Sequence, residues 1–106
     1  MKTMETTKDK SAALKKVQRV IEMVAASFAV DVSDLVSPDQ GNRAVSTARY
    51  VACYLLRDTI DCSQAAAILG RRTYNYAYGA SKWVKRRMDE DAGFFRKVLK
   101  LEDAVL

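Results

Sequence analysis

Residues 63–88 read SQAAAILGRRTYNYAYGASKWVKRRM and are the most informative part of the chain about its fold. A short alanine-rich segment begins at Ser63 and ends at Gly70, and a basic segment follows it as far as Met88. Ser is a favoured helix N-cap, and Gly is typical of the position just after a helix. Thr73 in turn predicts the N-cap of the basic helix. The stretch therefore predicts a helix-turn-helix, two helices joined by a tight turn.

Sequence on either side of this stretch also predicts helices. Polar residues 1–7 predict a frayed terminus, and a long helix is expected from Lys8. A single capped turn is expected from Ser33 to Leu35, a loop from Ser37 to Asn42, and a second long helix from near Arg43. Asp91 predicts the cap of a last helix. The first helix is indicated by apolar residues at steps of three and four: Leu14, Val17, Ile21, Val24 and Phe28.

Length and composition agree with an all-α single domain over residues 8–106. The chain has 106 residues, which suits one domain with one modest core. Four Gly and one Pro leave few tight turns, which disfavours a many-stranded sandwich or barrel. The abundance of Ala, Lys, Arg and Leu favours helices.

Several classes of function are excluded by the residues that the sequence lacks. With no histidine, His-based catalysis and His-ligated metal sites are ruled out, and no P-loop motif for an ATPase is present. Cys53 and Cys62 are too few for a structural zinc site and do not form a CxxC motif. The apolar run from Met23 to Val30 is too short to cross a bilayer. We expect a cytoplasmic protein that is not an enzyme and has no cofactor, metal, membrane or small-molecule substrate.

The placement of charge indicates a polyanionic partner. The net charge is +5, and no acidic residue occurs from Cys62 to Met88. Such a one-sided stripe attracts nucleic acid. The basic residues of the stripe are Arg71, Arg72, Lys82, Lys85, Arg86 and Arg87.

The basic helix separates into two faces on a helical wheel. Its core side is predicted to be Ala77, Ala80, Ser81, Val84 and Met88, and the opposite strip Arg72, Asn75, Gly79, Lys82 and Arg86. Tyr76 and Trp83 flank the strip on one edge, and Tyr78 and Lys85 on the other. A glycine in mid-helix costs about 1 kcal/mol relative to Ala, so Gly79 suggests close approach by a partner. The alternatives are a solvated basic face with an incidental glycine, or aromatic side chains that stack on unpaired bases.

A further pattern spans the first two long helices: Val20, Ile21, Val24, Ala25, Phe28, Val30, Asp34, Leu35, Ser37, Ala48, Arg49, Ala52 and Leu55. In these residues the chain, from about Val17 to Leu101, resembles the C-terminal DNA-binding domain of the bacterial replication initiator DnaA. The resemblance implies a Trp-repressor-like helix-turn-helix that binds duplex DNA. It also implies that Arg49 touches DNA beside the recognition helix. The family's basic loop falls on residues 37–43, where Arg43 alone is basic.

The family's recognition signature falls on Gly70 to Ala77. Arg72 matches its arginine, whereas Thr73 and Tyr74 replace the Asp-His pair that reads the initiator's binding box. The resemblance therefore implies duplex binding with a different preferred sequence. The residues expected to contact DNA are Arg43, Arg49, Arg71, Arg72, Thr73, Asn75, Tyr76, Gly79, Lys82, Lys85 and Arg86.

Two functional hypotheses follow. In the first, the chain is a nucleoid-associated bacterial regulator of replication or transcription that binds double-stranded DNA. In the second, it is a protein-interaction module on a DNA-binding scaffold and docks on a replication or transcription protein. The acid-free stripe favours DNA, and the altered loop and signature favour the protein partner.

Overall fold

Six α-helices form the part of the chain that the structure, a computed structural model, describes. This part comprises residues 2–71 and 74–105, with side chains for 12–71 and 75–105, and it contains no β-strand. The expected all-α class is confirmed. The helices are α1 (Lys2–Ser27), α2 (Val32–Leu35), α3 (Arg43–Leu56), α4 (Cys62–Ile68), α5 (Tyr74–Glu90) and α6 (Ala92–Val105).

The ends of the first two helices differ from the prediction. Helix α1 begins at Lys2, whereas the sequence predicted its start at Lys8. It ends in a Schellman motif, in which the amides of Ala29 and Val30 donate to the carbonyls of Ala26 and Ala25. Ala29 takes φ +55° there, a left-handed conformation that usually favours glycine. Helix α2 follows Asp31 as its N-cap, rather than beginning with a cap at Ser33.

Side-chain caps explain where α3 and α6 begin. The Asn42 side chain accepts from the Val45 amide at 3.0 Å, so α3 begins at Arg43 as predicted. The Asp91 side chain accepts from the Phe94 amide at 3.1 Å and caps α6, which confirms that prediction. Both caps satisfy amides that have no partner within their own helix.

The start of α4 corrects the sequence analysis. Its N-cap is Asp61, whose carboxylate accepts from the Gln64 amide at 2.8 Å, while the Gln64 side chain accepts from the Asp61 amide at 3.1 Å. This reciprocal pair is a capping box. Ser63 lies inside the helix, so its assignment as the cap is wrong. The Asp-x-x-Gln spacing was the stronger signal.

The end of α4 is as predicted. Gly70 has φ +71°, and the Gly70 and Arg71 amides donate to the Ala67 and Ala66 carbonyls, which completes a Schellman motif. The turn that leads toward α5 is thereby fixed by backbone hydrogen bonds. The predicted cap at Thr73 lies outside the described residues.

The core surrounds α3, which packs against α1, α2, α4 and α5. Residues 51–56 are all buried, so this helix has almost no solvent-facing side in its second half. Leu14 is 68% exposed, which corrects its assignment to the core face of α1. No helix among the described residues has the length and apolar character needed to cross a membrane. The other helices contribute mostly small or branched apolar side chains to the core, among them Val20, Val24, Leu69, Ala77, Ala80, Val84, Val98 and Leu101.

Candidate nucleic-acid interface

Helix α5 presents the two faces that the wheel predicts. Ala77, Ala80 and Val84 are 2% exposed or less and pack in the core. The opposite side carries four exposed residues, which we call the α5 strip: Asn75, Gly79, Lys82 and Arg86. Arg72 and Thr73, which were predicted to extend this strip toward the turn, lie outside the described residues. The strip occupies one continuous side of the helix from its first turn to its last.

Gly79 lies in the middle of the strip with open space above it. A Cβ placed on Gly79 would meet no atom within 4 Å other than its own helix backbone and chain neighbours. Its backbone is helical, so no left-handed conformation requires glycine here. Glycine weakens a helix by about 1 kcal/mol relative to Ala. Packing within the chain therefore does not explain why position 79 is a glycine.

The strip is also strongly basic. Lys82 and Arg86 on the strip and Lys85 at its edge are all exposed, and acidic residues return only at Asp89. The Lys82 ammonium lies 4.5 Å from the centroid of the exposed Tyr78 ring, which holds the charge over an aromatic face. This surface therefore offers cations and a flat apolar ring side by side.

Arg49 is not part of this surface, which corrects the prediction that it touches DNA. Its side chain is 1% exposed, and its three guanidinium nitrogens donate hydrogen bonds of 2.7–3.0 Å to main-chain carbonyls. Burial lowers the pKa of Arg49, and the nearby Arg71 adds to that shift, yet a guanidinium stays protonated in proteins. Two of the five acceptors, Asp34 and Leu35, lie in the last turn of α2, and three lie in the loop before α3: Ser37, Asp39 and Gln40.

Arg71 is committed to the same loop. Its Nη2 donates to the carbonyls of Ser37 and Asp39 at 2.9 and 2.8 Å, and its Nε donates to Leu69 at 3.2 Å. The half-buried side chain therefore joins the loop to the end of α4, and its expected contact with a phosphate stays a prediction. Arg49 and Arg71 share two acceptors, so one loop is held both from α3 and from the segment just after α4.

Gly70 brings the loop and the turn into direct contact. A Cβ on Gly70 would lie 2.7 Å from the Ser37 carbonyl oxygen and 2.9 Å from the Pro38 nitrogen. Any other residue at position 70 would have to displace backbone. The loop before α3 is therefore packed against the turn that leads into α5.

Tyr76 faces the interior edge of α5 rather than the strip. It is half-buried, and its ring lies 5.6 Å from that of Tyr50 on α3. Burial, followed by the neighbouring Cys53 and Tyr50, raises the pKa of Tyr76 to about 12, so the phenol keeps its proton. The ring thus belongs to the α3–α5 packing, and its expected contact with DNA stays a prediction.

One group of residues was missed by the sequence analysis as a site. Trp83 packs against Tyr50 and Phe94 to form a short aromatic row, with ring centroids 5.1 and 6.0 Å apart. The row lines a cleft between α3, α5 and α6, whose other lining residues are Arg43, Ser46, Thr47 and Arg87. These residues come from three helices, so no local spacing could reveal them.

The structure thus keeps six of the predicted contact residues on the surface: Arg43, Asn75, Gly79, Lys82, Lys85 and Arg86. The α5 strip is joined to the loop before α3 through the α4–α5 turn. Comparison with protein-family models and with curated protein sequences finds no match to this chain.

Proposed function

We propose that this chain binds duplex DNA, with α4 and α5 as a helix-turn-helix and α5 as its recognition helix, in the manner of the initiator domain that the sequence resembles. The observation that carries the proposal is the α5 strip itself. It is exposed along the whole helix, basic, and faces no acidic residue of α5 before Asp89. An α-helix fits the major groove, where its side chains meet base edges.

Gly79 supports close approach of a partner to the strip. With no Cβ and no neighbouring atoms, the helix backbone at this point is accessible to a groove wall or a sugar-phosphate chain. Asn75 lies toward the turn, and Lys82 and Arg86 lie further along the helix. We therefore assign base reading to Asn75 and phosphate contact to Lys82, Lys85 and Arg86.

The buried arginines support the proposal indirectly. The loop before α3 lacks the basic residues of the family it resembles, and Arg43 is the cation nearest its end. Arg49 and Arg71 hold that loop against the α4–α5 turn. A recognition helix whose support is already ordered loses less conformational entropy when it binds.

The proposal is tested by selecting bound sequences from a random duplex pool and titrating the selected site by fluorescence anisotropy. With Arg43, Lys82, Lys85 and Arg86 as the available cations, the log–log slope of affinity against salt is expected to be about −3 to −4. If Arg49 and Arg71 also met phosphates, six contacts would give a steeper slope of about −5. A slope near zero, or no binding at low salt, contradicts the proposal.

Two substitutions separate base reading from phosphate binding. Asn75→Ala should lower the preference for the selected site over random duplex, by about 1–3 kcal/mol. Arg86→Ala should weaken both duplexes equally and reduce the salt slope by about one. Lys100→Ala removes one charge at an exposed position of α6 and is the matched control. It should change neither the site preference nor the salt slope. Identical behaviour of Asn75→Ala and Arg86→Ala would contradict the recognition-helix assignment.

A second candidate function is a protein-docking module. The observation that favours it is an apolar groove of about 420 Å³ between α1 and α4, beside the exposed Leu14. If no duplex is selected from the pool, and Leu14→Asp abolishes binding to a replication or transcription protein, this candidate replaces DNA binding. The groove lining also includes Val17, Ile60, Ala67 and Ile68.

A further inference from the structure

The cleft between α3, α5 and α6 differs in character from the α5 strip. It has a volume of about 400 Å³, which is within the range of small-molecule sites. One wall is aromatic, and the other combines cations with hydroxyl groups. These are the two kinds of surface that a nucleotide needs, because its base is flat and apolar and its phosphate is anionic.

The aromatic wall is built around Trp83. The indole is 36% exposed, so part of it faces solvent although it packs on Tyr50 at 5.1 Å. Phe94 meets it edge-on, with an interplanar angle of 87°. Packing on two sides fixes the orientation of the indole, and a fixed aromatic ring is a platform on which a base can stack.

The polar wall carries Arg43 and Arg87, with the hydroxyls of Ser46 and Thr47. Arg43 is exposed in the first turn of α3. Arg87 approaches the Asp91 carboxylate at 3.6 Å, but both side chains are about half exposed, and ion pairs of this kind are weak. A phosphate can therefore compete for Arg87, and it meets a second guanidinium and two hydroxyl donors in the same cleft.

We propose that this cleft binds an unpaired nucleotide, with its base on Trp83 and its phosphate on Arg43 and Arg87. The site is separate from the α5 strip and does not depend on duplex binding there. A base that is paired within a duplex cannot stack on the indole, so the ligand is either a free mononucleotide or a nucleotide within a single strand. Both share the chemistry that the cleft recognises.

Trp83 provides the measurement, because it is the single tryptophan of the chain. Thymidine monophosphate and 5′-phosphorylated oligothymidylate are titrated separately against the full chain, with intrinsic fluorescence as the readout. Saturable quenching by thymidine monophosphate shows that a free nucleotide is sufficient for binding to the cleft. Saturable quenching by the oligonucleotide alone identifies the single strand as the source. Either result supports the proposal, and the absence of saturable quenching by both overturns it.

Variants at exposed positions then test the assigned contacts. Arg43→Ala and Arg87→Ala should each weaken the quenching titration about tenfold, the effect of losing one charge-assisted hydrogen bond. Thymidine, which lacks the phosphate and so loses both contacts, should bind the unaltered chain about a hundredfold more weakly than thymidine monophosphate. Asn75→Ala and Lys100→Ala should leave this titration unchanged. Equal affinity of Arg43→Ala, Arg87→Ala and the unaltered chain overturns the site.

Failure of this inference is distinguishable from failure of the duplex proposal. Duplex binding is measured by anisotropy of a labelled duplex and is sensitive to Asn75→Ala, whereas the cleft is measured by Trp83 quenching and is sensitive to Arg87→Ala. Far-ultraviolet circular dichroism of each variant checks that it is folded. An Arg87→Ala variant that binds duplex normally but no longer binds the oligonucleotide supports two separate sites.

Discussion

The side chain of Arg49 fixes the shape of the loop that borders the proposed interface. A loop without regular structure leaves backbone carbonyls that need partners when they are buried. Here three of them, together with two carbonyls from the last turn of α2, converge on Arg49, which is 1% exposed. The planar, multi-donor group can satisfy several carbonyls at once, which an ammonium group cannot do in the same geometry. Arg49, which the sequence resemblance assigns to DNA, therefore holds the loop in its conformation by hydrogen bonds.

Replacing Arg49 tests this role. Arg49→Met should lower the free energy of unfolding by about 3 kcal/mol or more, because it leaves several buried carbonyls without donors. Arg49→Lys keeps the charge but not the fork of donors, so we expect an intermediate loss. Urea unfolding followed by circular dichroism measures both. Unchanged stability in Arg49→Met would contradict the assigned hydrogen bonds.

Gly79 allows stability and binding to be separated at one position. Gly79→Ala should raise the free energy of unfolding by about 0.5–1 kcal/mol, because alanine is the better helix former and the added Cβ meets open space. The same change should weaken duplex binding, since the methyl group occupies the space at the proposed point of approach. Thermal unfolding and anisotropy measure the two effects. Equal duplex affinity in the two proteins would mean that no partner needs this glycine.

At the scale of the element, α4 depends on its first turn. Seven residues are too few for a helix to be stable by itself, so its caps and its packing must hold it. Asp61 and Gln64 satisfy two amides at the start, and Gly70 closes the other end. The contacts of α5 with α3 and α4 then hold α5 in place.

The two candidate caps predict different outcomes on substitution. Asp61→Ala should cost about 1 kcal/mol of stability because it removes the capping box. Ser63→Ala, two residues later inside the helix, should change stability by less than about 0.5 kcal/mol and is the matched control. Chemical denaturation of both variants provides the comparison. A larger loss in Ser63→Ala than in Asp61→Ala would move the start of α4.

For the whole molecule, burial makes stability depend on alkaline pH. Burial, with a smaller effect of Cys62, raises the pKa of Cys53 to about 12 from a usual value of 9.0. The folded state therefore binds a proton that the unfolded state releases above pH 9. This stabilisation is complete below the unfolded pKa and is lost as the pH rises from about 9 to about 12. The pKa of Tyr76 is likewise raised, from its usual value of 10.0, and this also lowers stability as the pH rises.

Denaturation measured at several pH values tests this linkage. Between about pH 9 and 12 the free energy of unfolding should fall by up to about 1.4 kcal/mol per pH unit for Cys53. Cys53→Ala should give a shallower decline whatever its stability at pH 7, and Tyr76→Phe should also reduce the slope above pH 10. A pH dependence that is identical in Cys53→Ala and the unaltered chain would contradict the burial of the thiol.

The sequence by itself determined the helical class, the Gly70 end of α4, the Asp91 cap of α6 and the faces of α5, because these features depend on local chemistry. Steps of three and four, the Gly70 cap and the Asp91 cap act within a few residues, so each can be read without knowing the neighbours. The acid-free stripe is likewise a property of the chain alone. These features led to the all-α class, which is confirmed, and to the DNA-binding hypothesis, which stays a prediction.

Only the tertiary structure decided which cations reach solvent. Arg49, Arg71 and Arg86 are the same residue type, yet the first two are bound to the Ser37 carbonyl, 12 and 34 residues away along the chain, and the third is exposed. The cleft around Trp83 likewise exists only because α3, α5 and α6 meet. The physical reason is that burial and hydrogen-bond pairing depend on which segments pack together, and a pattern of neighbours along the chain carries no information about partners across it.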